Sequence, residues 1–285
     1  MAEMTLTAHL PGSIDEVGVL GLVEDQVLRL ETGLNHRVTE GYDTLPQFLA
    51  RGLDVRLGFD VETVRWSAEG VSVISRKGEE LVARAAISTL PVGVLAANRV
   101  RFIPELPASK RDALRYVRMG PVVKVLLRFR DAFWPRWMTT LACGVGPVTL
   151  YWSVFHGMDG DVPPVLVAYA TGPRAARLSA VSEEEAAHIA IEDLRQLFPK
   201  ADPRRQLVEH RRIDWLTDPW ALGGYTFLLP GGTGARAKLA AADTGALFWA
   251  GAATATTTIA DAVQGAYVSG RRAAAEVHSL LAGCA

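Results

Sequence analysis

Cysteine is scarce in this chain. Its 285 residues include two, Cys143 and Cys284, far apart and without a C-x-x-C pair or clustered histidines. That excludes a disulfide-stapled scaffold and a thiolate zinc site, and makes a reducing, cytoplasmic setting the default. None of the six histidines has a nucleophile or ligand partner near it in sequence, so no metal is expected. Long apolar runs are also missing: no stretch approaches the roughly 18 residues of a membrane span. Glu3, Asp15, Glu16, Glu24 and Asp25 interrupt any secretory leader. An excess of one charge is absent too. With 30 Lys and Arg against 31 Asp and Glu, the net charge of -1 offers neither nucleic acid nor an anionic membrane an electrostatic partner.

What is present is material for a large core: 49% of residues are hydrophobic and 21% charged, which suits one large or two ordinary domains. Gly18 to Leu34 has a loosely helical apolar spacing. Thr44-Leu45-Pro46 opens a second helix with a cap residue and a first-turn proline; Leu45, Phe48 and Leu49 are its expected buried face and Gly52 lies past its end. Val55-Arg56-Leu57 is expected to begin a strand. Val61 to Trp66 and Val71 to Ser75 read as a hairpin, and Ala86 to Leu90 as a central strand. After Pro91 the texture becomes α+β. A helix runs from Ser109 to about Arg118, and strands are expected at Val122 to Phe129, Val148 to Phe155 and Val165 to Ala170. Ser182 and Glu185 form a capping box ahead of a stripe of Ala186, Ile189, Ala190, Leu194 and Leu197. Strands at Arg211 to Trp215 and Gly224 to Leu229 precede a short helix from Ala235 to Ala242.

The closing segment is the most informative. Leu247-Phe248-Trp249-Ala250-Gly251 reads as a buried strand entering a glycine turn, and Ala262 onward as a long small-residue helix. Such an arrangement brings backbone N–H groups and a helix N-terminus against a flat, electron-rich ligand. Upstream, alternation places Lys124 on one strand face with Val122, Leu126 and Arg128. By pattern alone that is a solvated lysine beside a solvated arginine.

Gly41-Tyr42, Val61 on its strand, Thr89-Leu90-Pro91, Gly120-Pro121-Val122-Val123-Lys124, Trp215 with Asp218-Pro219-Trp220, Gly224-Tyr225 and the closing segment occur in the order found in flavin-containing amine oxidases. The chain resembles that family along nearly its whole length. The resemblance implies an α/β and α+β fold: a partial FAD-binding α/β domain, residues 34–102 and 240–285, interleaved with a mixed-sheet-plus-helices substrate domain, 103–239. The helical segment 1–33 would lie with the substrate domain. FAD is the implied cofactor and an amine or amino-acid-like small molecule the implied substrate. Lys124 would hold a water near the reactive flavin nitrogen, where a cation stabilises developing charge. The backbone near Val61 would meet the adenine, Thr89 and Pro91 would border the nucleotide, and Trp215 and Tyr225 would wall the flavin and substrate cavity. Gly251, Ala252, Ala262, Val263 and Ala266 would contact the flavin. Each has a plain structural counterpart as well: a strand valine is core, Thr-x-Pro a turn, and a large aromatic a packing residue.

Family members begin with a β-α-β unit whose G-x-G-x-x-G turn holds the dinucleotide pyrophosphate. This sequence starts downstream of such a unit, and its near match, Gly232 to Ala237, lacks the acidic residue expected after the next strand. A separately encoded dinucleotide-binding chain is therefore an expected partner. Ala252 stands where the family has a Glu reaching the flavin ribityl chain, and Ala262 where many members have a cage Tyr supplying cation–π attraction. Two readings stay open: an oxidoreductase component that moves hydride from a carbon bearing nitrogen to FAD, or a flavin-free binding subunit or fragment that retains the oxidase scaffold.

Overall fold

The structure, a computed structural model, describes residues 10–26, 38–143, 146–158, 160–243, 245–256, 260 and 262–283. Two short helices come first, α1 (Val19–Glu24) and α2 (Thr44–Leu49). Strands β1 (Val61–Trp66), β2 (Val71–Ser75), β3 (Glu80–Ala83) and β4 (Ala86–Ser88) lead to helix α3 (Val92–Ala96) and strand β5 (Arg101–Ile103). β1 and β2 form the expected hairpin, its turn closed by the Ser67 N–H donating to Gly70 O at 3.0 Å. With β3 and β5 they make a sheet in the order β3-β2-β1-β5, in which β5 runs parallel to β1.

The middle of the chain supplies helix α4 (Ala108–Tyr116), strands β6 (Val117–Gly120), β7 (Val122–Phe129), β8 (Thr140–Ala142), β9 (Leu150–Ser153) and β10 (Val165–Thr171), and helices α5 (Gly172–Ser179), α6 (Glu183–Leu197) and α7 (Pro203–Gln206). Strands β11 (Leu207–Asp214) and β12 (Tyr225–Leu228) follow. An antiparallel sheet of order β11-β7-β10-β9-β8 covers one face with α5 and α6. Val123, Val125, Leu127, Leu166, Ala168 and Ala170 of that face meet Ala175, Leu178, Ala186, Ala190 and Leu194 in one apolar cluster. α6 starts where it does because Ser182 Oγ accepts the Glu185 N–H at 3.1 Å and three acidic residues sit at the positive end of its dipole. The chain ends with α8 (Ala235–Ala240), β13 (Leu247–Trp249) and α9 (Val263–Gly283). β13 returns to pair in parallel with β4, and Leu247 and Trp249 share a core with Val64, Trp66 and Phe102. Among the described residues no helix is long and apolar enough to cross a membrane.

Several expectations need correction. Leu45, Phe48 and Leu49 of α2 are exposed, because no other described element packs on that face. Val55 to Leu57 forms no strand: it pairs with no described strand, and Leu57 is 91% exposed. Among the described strands β4 is not central: it is three residues long and its one paired neighbour there is β13. β3 and β5 carry no pattern that announces them, since β3 is exposed throughout and β5 is three residues long. Of the segment Gly18 to Leu34, residues 19–24 are helical, whereas 27–37, with the expected domain boundary at 33/34, lie outside the described residues.

Two buried charges generate tests. Asp25, following α1, accepts from Arg236 Nε at 2.5 Å and Nη2 at 2.8 Å, while Arg236 Nη1 donates to Thr226 Oγ1 at 2.7 Å. Arg236 is 1% exposed, so removing it leaves an uncompensated carboxylate. Arg236→Met should cost about 3–5 kcal/mol in urea unfolding, and adding Asp25→Leu should recover much of it. Asp193, on α6, accepts the Val148 N–H beside Arg174, yet burial raises its pKa from 3.8 to about 6 against both. Between those values the folded state holds a proton that the unfolded state has released, so stability falls as pH rises from about 4 to 6 and is level above. Asp193 should contribute a loss of up to about 3 kcal/mol across that window, read as the difference in pH slope between the wild type and Asp193→Asn.

Candidate functional site

Because alternate residues of β7 are committed to the helix-covered core, Lys124 must stand on the opposite face. It lies across from Tyr169 of β10 and Ile213 of β11. It is half-buried, and desolvation pulls its pKa below the usual lysine value. Arg128, further along that face, is exposed and paired with Glu209 at 2.9 Å. Lys124 therefore departs from the solvated reading that Arg128 fulfils. Its Nζ sits 5.5 Å from the Trp152 ring centroid, and Trp152 packs on Tyr169 with centroids 5.3 Å apart. The Tyr169 and Tyr225 hydroxyls are 3.0 Å apart; burial raises the Tyr169 pKa and this hydrogen bond opposes it.

Tyr225 reaches the group because β12 pairs with β6, placing it opposite Gly120. A Cβ at Gly120 would collide with Pro11, so the glycine is what lets the amino-terminal segment cross here. Trp215 closes the same end: its N–H donates to Val122 O at 3.1 Å, and its carbonyl accepts from the Gly223 N–H at 2.6 Å. Lys124, Trp215 and Tyr225 are thus brought together around the start of β7. Trp152 and Tyr169 complete the group and are missed by the sequence reading; the one available signal was the presence of aromatics in both expected strands, three in Val148 to Phe155 and one in Val165 to Ala170.

The second group lies at the carboxyl ends of the parallel pair β4 and β13, the place where open parallel sheets take ligands. The Ala250 N–H donates to Ser88 O at 3.0 Å, which sets Thr89-Leu90-Pro91 beside Gly251-Ala252. Gly251 has φ 120°, a conformation closed to side chains, and leads into a 3-10 turn at Ala252–Thr254. Its N–H donates to Ser269 Oγ at 3.0 Å, while Arg272 Nη2 donates to Trp249 O at 2.5 Å and Nη1 to Ala240 O at 3.1 Å. These bonds hold the start of α9 against the turn, with Ala262 half-buried and Val263 and Ala266 exposed. Ser88 Oγ is buried there without a hydrogen-bond partner among the described residues. Val61 opens β1 and packs on the apolar cluster that also contacts Leu90.

The two groups abut through α3, which begins after Pro91. A Cβ at Gly93 would collide with Ala221 O and Leu222 O, in the loop between Trp215 and Tyr225. Gly232 to Ala237 is no phosphate cradle: Glu24 Oε2 already accepts the Gly234 N–H at 2.8 Å at the head of α8. Among the described residues no cluster of His, Cys, Asp and Glu could hold a metal.

Comparison with known proteins bears on this geometry. Rice (Oryza sativa subsp. japonica) polyamine oxidase 4 is 33% identical over 279 residues, covering 95% of this chain and 54% of that protein. Human lysine-specific histone demethylase 2 is 29% identical over 250 residues, 84% of this chain and 30% of that protein. The chain spans about half the length of the polyamine oxidases it matches. Cyclohexylamine oxidase from Brevibacterium oxydans IH-35A superposes with a TM-score of 0.79 at 21% identity, over 98% of this chain and 64% of that one, and so shares its fold. The profile described as flavin containing amine oxidoreductase matches residues 14–278, nearly the whole of the chain, and the chain belongs to the flavin-containing amine oxidoreductase family.

Proposed function

We propose that this chain is a component of an FAD-dependent oxidase that takes hydride from a carbon bearing nitrogen in an amine or amino-acid-like molecule. One observation carries the reading: a half-buried Lys124 on an aromatic sheet face that abuts, through Gly93, the carboxyl ends of two parallel strands. In this reading residues 34–102 and 240–285 are the flavin side and 103–239 the substrate side. The segment before residue 34 belongs with the latter, which the bonds from Glu24 and Asp25 to the start of α8 support.

Ser88, with its orphaned hydroxyl, and the bare Cα of Gly251 fit the edge of a planar ring. We assign Thr89, Pro91, Gly251, Ala252, Ala262, Val263 and Ala266 to that contact, Val61 to the adenine end, and Trp215 and Tyr225 to the cavity wall. FAD bound there would supply the two-electron acceptor. The residues of the chain orient the C–H bond, exclude water and hold one cation, Lys124, where negative charge develops.

No described residues form a free pyrophosphate-binding turn. β4 and β13 pair only with each other among the described strands, and Val263, Tyr267 and Val268 of α9 are exposed beside them. We assign that open edge to a separately encoded β-α-β chain. The flavin-free reading keeps one observation in its favour, the Gly251 N–H already satisfied by Ser269, next to an alanine that offers the flavin no carboxylate.

The visible spectrum of the purified chain separates these readings. Alone it should carry little flavin, and it should turn yellow on copurification with a dinucleotide-binding partner; stoichiometric flavin in the isolated chain would refute the need for a partner. In the flavin-loaded complex, Lys124→Met should slow flavin reduction or reoxidation by about 10²- to 10³-fold without unfolding the protein. Stopped-flow rates within about twofold of wild type, under roughly 0.5 kcal/mol of barrier, would remove Lys124 from the chemistry.

A further inference from the structure

Among the described residues no carboxylate pairs with Lys124, and burial alone bears on its ionisation. What faces its ammonium is an indole. Trp152 lies opposite Val167, which lies opposite Leu126, so Trp152 and Lys124 are diagonal to one another across β10. To reach within 5.5 Å of the Trp152 centroid, the lysine leans along the sheet instead of standing off it. The ring is itself fixed, because Trp152 packs on Tyr169 and the Tyr169 hydroxyl is bonded to Tyr225. Four strands, β7, β9, β10 and β12, thus contribute one side chain each to a continuous contact from Lys124 to Tyr225.

We propose that Trp152 is a positioning residue for Lys124, its indole face holding the ammonium charged and in a single direction on the cavity side of the sheet. An ammonium half removed from water needs a compensating partner, and tryptophan has the strongest ring quadrupole among side chains. Among the described residues of these strands, the other titratable or charged groups on this face are Tyr169 and Tyr225, Arg211 opposite Leu126, and the Arg128–Glu209 pair at the far end. None of them offers Lys124 an unpaired anion near neutral pH. The inference rests on the role proposed above for Lys124, and its test is kept separate from turnover.

The full chain, labelled with ¹³C,¹⁵N-lysine, reports directly, since Lys77, Lys110, Lys124, Lys200 and Lys238 are its lysines and Lys124→Arg assigns the signal. The wild-type Lys124 side-chain protons should be shifted upfield by the ring current of Trp152. Trp152→Leu should abolish that shift and lower the Lys124 pKa by about one unit, ~1.4 kcal/mol, with Trp152→Phe intermediate. An unshifted wild-type signal, or an unchanged pKa in Trp152→Leu, overturns the assignment whatever the turnover data give. If the leucine variant does not fold, the wild-type shift and the phenylalanine variant decide. If instead the titration moves as expected while Lys124→Met leaves flavin turnover intact, the positioning stands and the catalytic reading of Lys124 falls.

Discussion

The two-residue period of β7 is the constraint on which the five-stranded sheet and the placement of Lys124 depend. Val123, Val125 and Leu127 are each 0% exposed, wedged between two sheet neighbours and the helices behind them. A slip of one residue would drive Lys124 into that apolar layer and expose the three side chains that now fill it. Pairing to β10 on one side and β11 on the other holds the register. The energy that stabilises the sheet and the geometry that presents the lysine are therefore one and the same, and no separate device is needed to aim Lys124 away from the core.

Charges at the ends of a short helix join the two halves. α8 has six residues, too few to be stable alone, and each end is satisfied from elsewhere in the chain. Glu24 takes the Gly234 N–H at its positive end. At its negative end Lys110 Nζ donates to the carbonyls of Lys238, Leu239 and Ala241 at 3.2, 2.9 and 2.6 Å, and Arg272 donates to that of Ala240. Lys110 also sits 4.6 Å from the Trp249 ring centroid and 3.7 Å from Asp243. Burial lowers the lysine pKa and raises that of Asp243, and their mutual attraction opposes both. One helix is thereby tied to α4 from the middle of the chain and to β13 and α9 from its end.

What could be read from the sequence was what is decided locally. The hairpin of β1 and β2, the strand β7, the Ser182 cap and the closing strand, turn and helix follow from spacing, turn residues and caps within a few positions of each other. The face of α2 could not be read in the same way, because an apolar stripe states that a side could be covered and says nothing of what covers it. β3 has no buried position to impose a pattern. Trp152 and Tyr169 join Lys124 through the registers of three strands separated by long connections, and Arg236 meets Asp25 across 211 residues of sequence. Family resemblance supplied Lys124, Trp215 and Tyr225 as members of a site; it could not supply the neighbours that set their environment.

Helix α9 has 21 residues, and its buried positions are Gly265, Ser269 and Ala273, each four beyond the last. At 3.6 residues per turn a four-residue step turns the seam by about 40°, so a straight line of close contact lasts only a few turns. The small size of these three side chains, with the Ser269 bond to Gly251, fixes where the helix lies. Beyond these three positions and the Arg272 bonds to Ala240 O and Trp249 O, the distal outward residues of α9 carry no part of that fixation, so they can change without moving the turn at Gly251.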